Sequence, residues 1–312
     1  MSSNQKPKLV VILGPTASGK TELALKLAEK FNGEIINADS RQIYKNMTIG
    51  TGSPFSKIHN LQFTIHDSIP INNIPHYLFH FAHPNEDFSV AEYKKLAVEK
   101  IGEIQKQNKV PFLVGGTGLY INSVVDNLKI PKASPDDKIR KRLDKLNAKK
   151  LFVKLKKIDP KSAEIIGLNN KRKLIRALEV YEITGKLFSA QQIKGAPLFD
   201  ILQIGVKMDR EKLYKKIDQR VDKMIAMGLI KEAKNLIKKY SFNLPAMSGI
   251  GYREIGLYLE NKIVLEEAIQ KVKFRTHQYA RRQMTWFRKD NRTKWVENYK
   301  KAEDLTVAFL KK

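Results

Sequence analysis

The residues best suited to chemistry stand near the amino terminus. There Gly14, Pro15, Thr16, Ala17, Ser18, Gly19, Lys20 and Thr21 follow the pattern G-x-x-x-x-G-K-[ST]. The two fixed glycines let the backbone curl so that successive N–H groups converge on an anion. Lys20 adds a mobile positive charge, and the Thr21 hydroxyl can ligate a magnesium ion that bridges phosphate oxygens. The pattern carries weight only directly after a strand and at the opening of a helix. Both flanks qualify: Leu9 to Leu13 is a short apolar run, and Leu23, Leu27 and Ala28 repeat at helical spacing. A P-loop is expected, with substrate phosphates held by Gly14 to Thr21.

A P-loop NTPase also carries a buried strand that ends in a magnesium-binding Asp. The run Val110 to Val114 reads as a third strand, but it leads into Gly115-Gly116-Thr117-Gly118 instead. The carboxylate at a strand end is Asp39, which closes the apolar run Glu34 to Ala38 and opens Asp39-Ser40-Arg41-Gln42-Ile43-Tyr44. Residue type and position leave three roles open for it: metal ligand, helix cap without chemistry, or general base.

The elements that must position these groups alternate. Ser89 and Glu92 have capping-box spacing ahead of a helix whose apolar face runs through Tyr93, Ala97, Ile101 and Ile104. Strands alternating with helices imply an α/β fold, a P-loop-type core whose parallel sheet is flanked by helices, with ligands at the strands' carboxyl ends. Past Pro131 and Pro135 the strand-like runs stop until Ile201 to Val206, which reads as a strand returning to the sheet. Residues 131–200 carry 18 Lys or Arg against 8 Asp or Glu and look helical throughout. The expected organisation is a catalytic core, 1–130 with 201–312, interrupted by a basic all-helical insertion, 131–200. From Arg210 to Lys289 the pattern is again helical.

Composition narrows the function classes. Among 312 residues there is no cysteine, which excludes disulfides, thiolate zinc sites and cysteine nucleophiles and suits an intracellular, cytoplasmic protein. No run approaches the roughly 18 apolar residues of a membrane-spanning helix, so no membrane partner is expected. The formal net charge of +26 points to a polyanionic partner, nucleic acid before any other. His76, His80 and His83 are close in sequence but lack the acidic company of a metal site, and none is expected there.

Six segments in order make the pattern specific: the P-loop; Asp39-Ser40-Arg41-Gln42; Gly115-Gly116-Thr117 with Leu119-Tyr120; Arg176-Ala177-Leu178-Glu179-Val180; Ile250-Gly251-Tyr252-Arg253-Glu254; and Arg281-Arg282-Gln283-Met284-Thr285-Trp286. Together they resemble the bacterial tRNA dimethylallyltransferases, also called tRNA isopentenyltransferases, from Leu9 to Arg288. The resemblance implies transfer of a dimethylallyl group from dimethylallyl diphosphate to the exocyclic amine of the adenosine 3′ of the anticodon, with Mg²⁺ at Thr21. It implies a catalytic set of Asp39 as base, Thr117 and Arg220. It also implies tRNA contacts from Asp39, Ser40, Arg41, Gln42 and Thr117; from Arg140, Arg172, Lys173, Leu174, Ile175 and Arg176 in the insertion, which would clamp the anticodon stem; from Ser248, Gly249, Ile250, Gly251, Tyr252 and Arg253; and from Arg281, Arg282, Gln283, Met284, Thr285, Trp286, Phe287 and Arg288. A monomer is expected. With no cysteine, the chain lacks the C-terminal zinc finger of the family's eukaryotic members.

On a helix at roughly 100° per residue, Lys271, Arg275, Arg282 and Lys289 share a sector of about 40°, with Val272, Tyr279 and Trp286 beside it facing inward. This predicts a basic stripe along a packed helix. The apolar slot for a five-carbon group cannot be placed from sequence. Two rival readings share the P-loop: a small-molecule or nucleoside kinase, in which the basic insertion has no task, and an RNA-binding ATPase, in which Asp39 has none.

Overall fold

The computed structural model describes residues 6–56, 64–131, 133–191, 193–242 and 244–311. The run at Leu9 is apolar at every position because its strand, β1 (Lys8–Leu13), is covered on both faces. It leads through the P-loop into α1 (Lys20–Lys30), then β2 (Gly33–Asn37), and a hairpin of β3 (Ile69–Ile71) and β4 (Ile74–Tyr77). The capping box forms as the spacing predicts: Ser89 Oγ accepts from Glu92 N, and α2 (Val90–Lys106) follows. Next come β5 (Val110–Gly115) and α3 (Gly118–Val125). Five helices succeed one another: α4 (Asp137–Asp144), α5 (Ala148–Ile158), α6 (Pro160–Ile166), α7 (Lys171–Thr184) and α8 (Phe188–Gln191). The chain then forms β6 (Asp200–Val206), α9 (Arg210–Ala226), α10 (Leu229–Ile237), α11 (Tyr252–Leu259), α12 (Leu265–Phe287), β7 (Thr293–Val296) and α13 (Tyr299–Lys311).

The seven strands are ordered β3-β4-β2-β5-β1-β6-β7. Every pairing is parallel except β3 with β4. The sheet is therefore mixed, and Val110 opens the fifth strand of the chain, not the third. The hairpin went unread because Pro70 and Pro75, which pair with each other, count against strands, while its turn, Asn72-Asn73, takes the positive φ values that Asn tolerates. The strand β7 is short and carries a lysine, so it lacks an apolar run.

One consequence of strand order governs chemistry. Because β5 lies between β2 and β1, the carboxyl ends of these three strands present Asp39, the Gly116-Thr117 turn and the P-loop side by side. Backbone bonds fix the spacing: Ala38 N donates to Val114 O at 2.8 Å and Thr117 N to Ala38 O at 3.1 Å. A Cβ on Gly115 would fall 2.1 Å from the Ala38 carbonyl oxygen, so only glycine allows this approach.

The chain divides into two compact units, Met1–Val124 with Leu198–Lys312, and Val125–Pro197. The smaller holds α4 to α8 around Leu143, Leu151, Leu155, Ala163, Leu174, Ala177 and Leu178, all essentially inaccessible. Burying each leucine contributes roughly 1.5–3 kcal/mol. Within it the fully buried Glu179 accepts from Asp136 N, Arg140 Nε at 2.7 Å and Arg176 Nη1 at 2.7 Å. These bonds hold the Glu179 carboxyl below its usual range against the burial that would raise it.

Candidate active site

The P-loop takes the curled form its glycines allow. Gly19 has φ 90°, Ala17 φ 62°, and Ser18 N donates to Pro15 O at 3.3 Å. α1 begins at Lys20, so its free amides face the loop's interior. Lys20 Nζ lies 3.4 Å from Pro15 O, and Ser18 Oγ is buried without a hydrogen-bond partner. Desolvation pulls the Lys20 ammonium down to about 8, with Arg220 adding to the fall and Asp39 opposing it. A buried ammonium that Asp39 only partly compensates gains from a further anion beside it.

Arg220, on α9, is half-buried and directed into this loop rather than into solvent. Its Nη1 donates to Thr16 Oγ1 at 3.0 Å and its Nη2 to Gly52 O at 2.9 Å. Burial lowers its pKa and Asp39 partly restores it. Gln42 Nε2 donates to the same turn, at 3.2 Å from Thr51 O and 3.3 Å from Gly52 O.

Asp39 follows β2. Its Oδ1 accepts from Arg41 N at 2.9 Å, a turn bond and not a helix cap, since no helix starts there. Thr117 Oγ1 accepts from Ser40 N at 3.0 Å and locks the Gly-Gly-Thr turn to the Asp39 segment. Asp39, Thr16, Thr51 and Arg220 line two cavities at once. The smaller, about 50 Å³, is the P-loop end and includes Lys20, Thr21 and Gln42. The larger, about 450 Å³, is walled by Leu119, by Ile217, Val221 and Met224 of α9, and by Val272, Tyr279, Arg282 and Trp286 of α12. Along the sequence nothing singles these walls out. Ile217, Val221 and Met224 flank Arg220 at helical spacing, a signal visible only once Arg220 is known to point inward.

Several residues expected to contact ligand also bond within the site. Gln283, buried on α12, accepts from Thr16 N at 2.9 Å and donates to Gly116 O at 2.8 Å, spanning the P-loop and the Gly-Gly-Thr turn. Arg41 donates to Pro245 O at 2.6 Å and reaches Ser248 Oγ at 3.4 Å. Phe287, Leu174 and Ile175 are core residues on the apolar faces of their helices, and Tyr252, equally buried, lines the large cavity. Gly249 and Gly251 position the start of α11, where Gly251 N donates to Glu254. Ile250 lines the large cavity. Arg253, Arg281, Thr285 and Arg288 are exposed and Met284 half-exposed. In the second unit Arg172 and Lys173 are exposed, whereas Arg140 and Arg176 are engaged by Glu179.

The stripe on α12 needs correction. Lys271 pairs with Glu267 and Arg275 with Glu254, and Lys289 lies beyond the helix. Trp286 is 42% exposed and lines the cavity instead of packing inward, its Nε1 donating to Asn122 at 3.1 Å. Arg282 stands over the Tyr279 ring, whose hydroxyl burial keeps protonated.

The three histidines do not converge on a metal. His80 is bonded to Ser53 Oγ and Tyr44 O and is pushed down to about 4 by burial, while His83 is exposed. Among the described residues no group of three or more His, Asp or Glu could hold a metal ion unaided. Magnesium usually keeps water and substrate phosphates among its ligands, and Thr21, which lines the small cavity, could supply the protein's share.

Comparison with known proteins agrees with this geometry. The IPP transferase family model matches residues 42–290, and the isopentenyl transferase model matches residues 7–65. The chain belongs to the IPP transferase family. It is 46% identical over 296 residues to the tRNA dimethylallyltransferase of Acetivibrio thermocellus, covering 92% of this chain and 91% of that one. It is 43% identical to the tRNA dimethylallyltransferase of a Thermoanaerobacter species, covering 97% and 96%. Among solved structures, the tRNA isopentenylpyrophosphate transferase of Bacillus halodurans superposes with a TM-score of 0.71 at 36% identity, over 98% and 97% of the two chains. A eukaryotic dimethylallyltransferase acting on tRNA superposes with a TM-score of 0.73 at 30% identity, over 90% of this chain and 69% of that one. Family membership makes the protein a prenyltransferase and rules against the kinase reading. Among the described residues no helix is long and apolar enough to cross a membrane.

Proposed function

We propose that the protein transfers the dimethylallyl group of dimethylallyl diphosphate to the exocyclic amine of the adenosine 3′ of a tRNA anticodon. The observation that carries this reading is the position of Asp39, shared with Arg220 and Thr16 between a small phosphate cavity and a large apolar one. The diphosphate lies in the P-loop and the adenine enters through the larger cavity, flipped out of the anticodon loop.

In the reaction the allylic carbon–oxygen bond breaks and its electron pair leaves with the diphosphate. The adenine amine supplies the pair for the new carbon–nitrogen bond, and its proton passes to Asp39. Lys20, the loop amides and Arg220 stabilise the departing negative charge. Thr21 would hold a magnesium ion, which would supply charge neutralisation at the leaving group. Gln42 and Thr117 keep the Asp39 segment in register. Exposed Arg172, Lys173, Arg281 and Arg288 meet the RNA backbone, consistent with the charge of +26. The protein acts as a cytoplasmic monomer, and residues 131–200 grip the anticodon stem.

The test uses unmodified tRNA and labelled dimethylallyl diphosphate with wild-type protein and Asp39→Asn. Prenyl label should enter tRNA, and the variant should lose about 10²–10⁴ in kcat while tRNA affinity stays within about threefold. Undiminished turnover in Asp39→Asn would remove the base assignment, and phosphate transfer from ATP would remove the reading altogether.

A further inference from the structure

Glu232, on α10, has no part in the site described so far, yet its carboxylate is among the most heavily bonded in the protein. Its Oε2 accepts from Thr48 N at 3.0 Å, Thr48 Oγ1 at 3.1 Å and Ile49 N at 2.9 Å. Its Oε1 accepts from Gly50 N at 2.9 Å and the Tyr252 hydroxyl at 2.7 Å. Three consecutive backbone amides thus converge on one carboxylate, an anion nest filled by the protein's own side chain. The donors are all uncharged, so Glu232 acts on the shape of the 48–50 segment and not as half of an ion pair.

That segment continues directly into the turn that aims Arg220. Gly52 N donates to Ile49 O at 2.9 Å, and the next atoms along, Thr51 O and Gly52 O, accept from Gln42 and Arg220. Gly50 is wedged against Tyr252, where a Cβ would fall 2.5 Å from the ring. The path therefore runs from Glu232 through backbone bonds to the Gly52 carbonyl, and from there through one guanidinium to Thr16 of the P-loop. Bonds to a charged acceptor are about twice as strong as neutral ones, so this carboxylate is well suited to fixing a glycine-containing turn.

We infer that Glu232 is a positioning residue for the transfer reaction, holding the Thr48–Gly52 turn so that Arg220 is aimed at the diphosphate in the P-loop. This rests on the reading of the P-loop as the diphosphate site. Glu232 touches no substrate, and because the group it aims is Arg220 its effect should appear more strongly in the diphosphate parameters than in those of tRNA.

The experiment measures kcat and KM for both substrates, together with Tm, in Glu232→Gln, Glu232→Asp and Arg220→Lys. The amide of Gln replaces one acceptor oxygen with a donor that opposes a backbone N–H. Glu232→Gln should raise KM for dimethylallyl diphosphate about 10-fold or more and leave KM for tRNA within about twofold. Glu232→Asp, which keeps the charge, should recover part of the loss. Should Glu232→Gln fail to fold, the double variant Thr48→Val with Tyr252→Phe keeps the three amide bonds and removes both hydroxyl donors. It should raise the same KM about threefold or more. A fall in Tm with diphosphate KM unchanged, or an equal rise in both KM values, overturns the inference. Arg220→Lys separates the two levels: if it leaves the diphosphate KM unchanged, the site reading itself fails, and if it raises that KM while Glu232→Gln does not, only the role of Glu232 fails.

Discussion

Gly52→Ala tests the site through the residue whose carbonyl holds Arg220. Gly52 has φ 59°, and a Cβ there would lie 1.4 Å from Arg220 Nη2. An ordinary contact begins near 3.4 Å, so the guanidinium must retreat by about 2 Å. The guanidinium is planar and rigid, so a retreat of one nitrogen moves the other, and the bonds to Gly52 O and Thr16 Oγ1 are lost together. An L-residue in the left-handed region costs roughly 1–2 kcal/mol, which for a unit of this size lowers Tm by about 2–8 °C. Displacing one donor aimed at developing charge costs about 10²–10³ in rate. Turnover of labelled dimethylallyl diphosphate on tRNA should therefore fall about 10²-fold or more in a protein that is still folded at the assay temperature. Because the steric conflict is with Arg220 itself, the double variant Gly52→Ala with Arg220→Ala should be no slower than Arg220→Ala alone. Turnover of Gly52→Ala within threefold of wild type, or a multiplicative double variant, refutes the reasoning.

Lys20 titrates near 8 because burial disfavours its charge, so free protein loses this cation as pH rises through 8. The ligand favours the protonated form, hence kcat/KM for the diphosphate should decline above about pH 8, and the Tm gained from magnesium pyrophosphate should shrink there too. A flat profile to pH 9.5 would contradict it. In the free fold the sign is reversed: a base whose pKa is lowered destabilises below about 8, and that cost is relieved as pH climbs toward the ordinary lysine value. In the smaller unit, Arg172→Ala with Lys173→Ala should reduce the slope of log affinity against log salt by about 1–2 without changing Tm. Arg176→Ala, by contrast, should lower Tm by strandings of charge at buried Glu179, so a salt slope measured on it would mix two effects. Gln283→Leu leaves Thr16 N and Gly116 O without their partner and should cost about 1–3 kcal/mol per group in stability, read by denaturant titration.

The sequence by itself determined the P-loop, the strand that carries it, the helix capped by Ser89 and the carboxylate at the end of β2. Each is a local matter: glycines permit a curl, apolar runs report burial, and capping depends on residues three apart. The basic helical segment was legible for the same reason, since charge and periodicity are counted along the chain. Tertiary structure alone decided which side chains line the cavities and which bond within the frame. Arg220 meets Thr16 across 204 residues and Gln283 meets it across 267, and no local pattern encodes such separations. Arg140 and Arg176 look identical in sequence to Arg172, yet buried Glu179 claims them, because a buried carboxylate must be satisfied before a surface cation can be left to solvent or RNA. The apolar walls of the larger cavity are written only in the packing of α9 against α12, whose residues read as ordinary core along the chain.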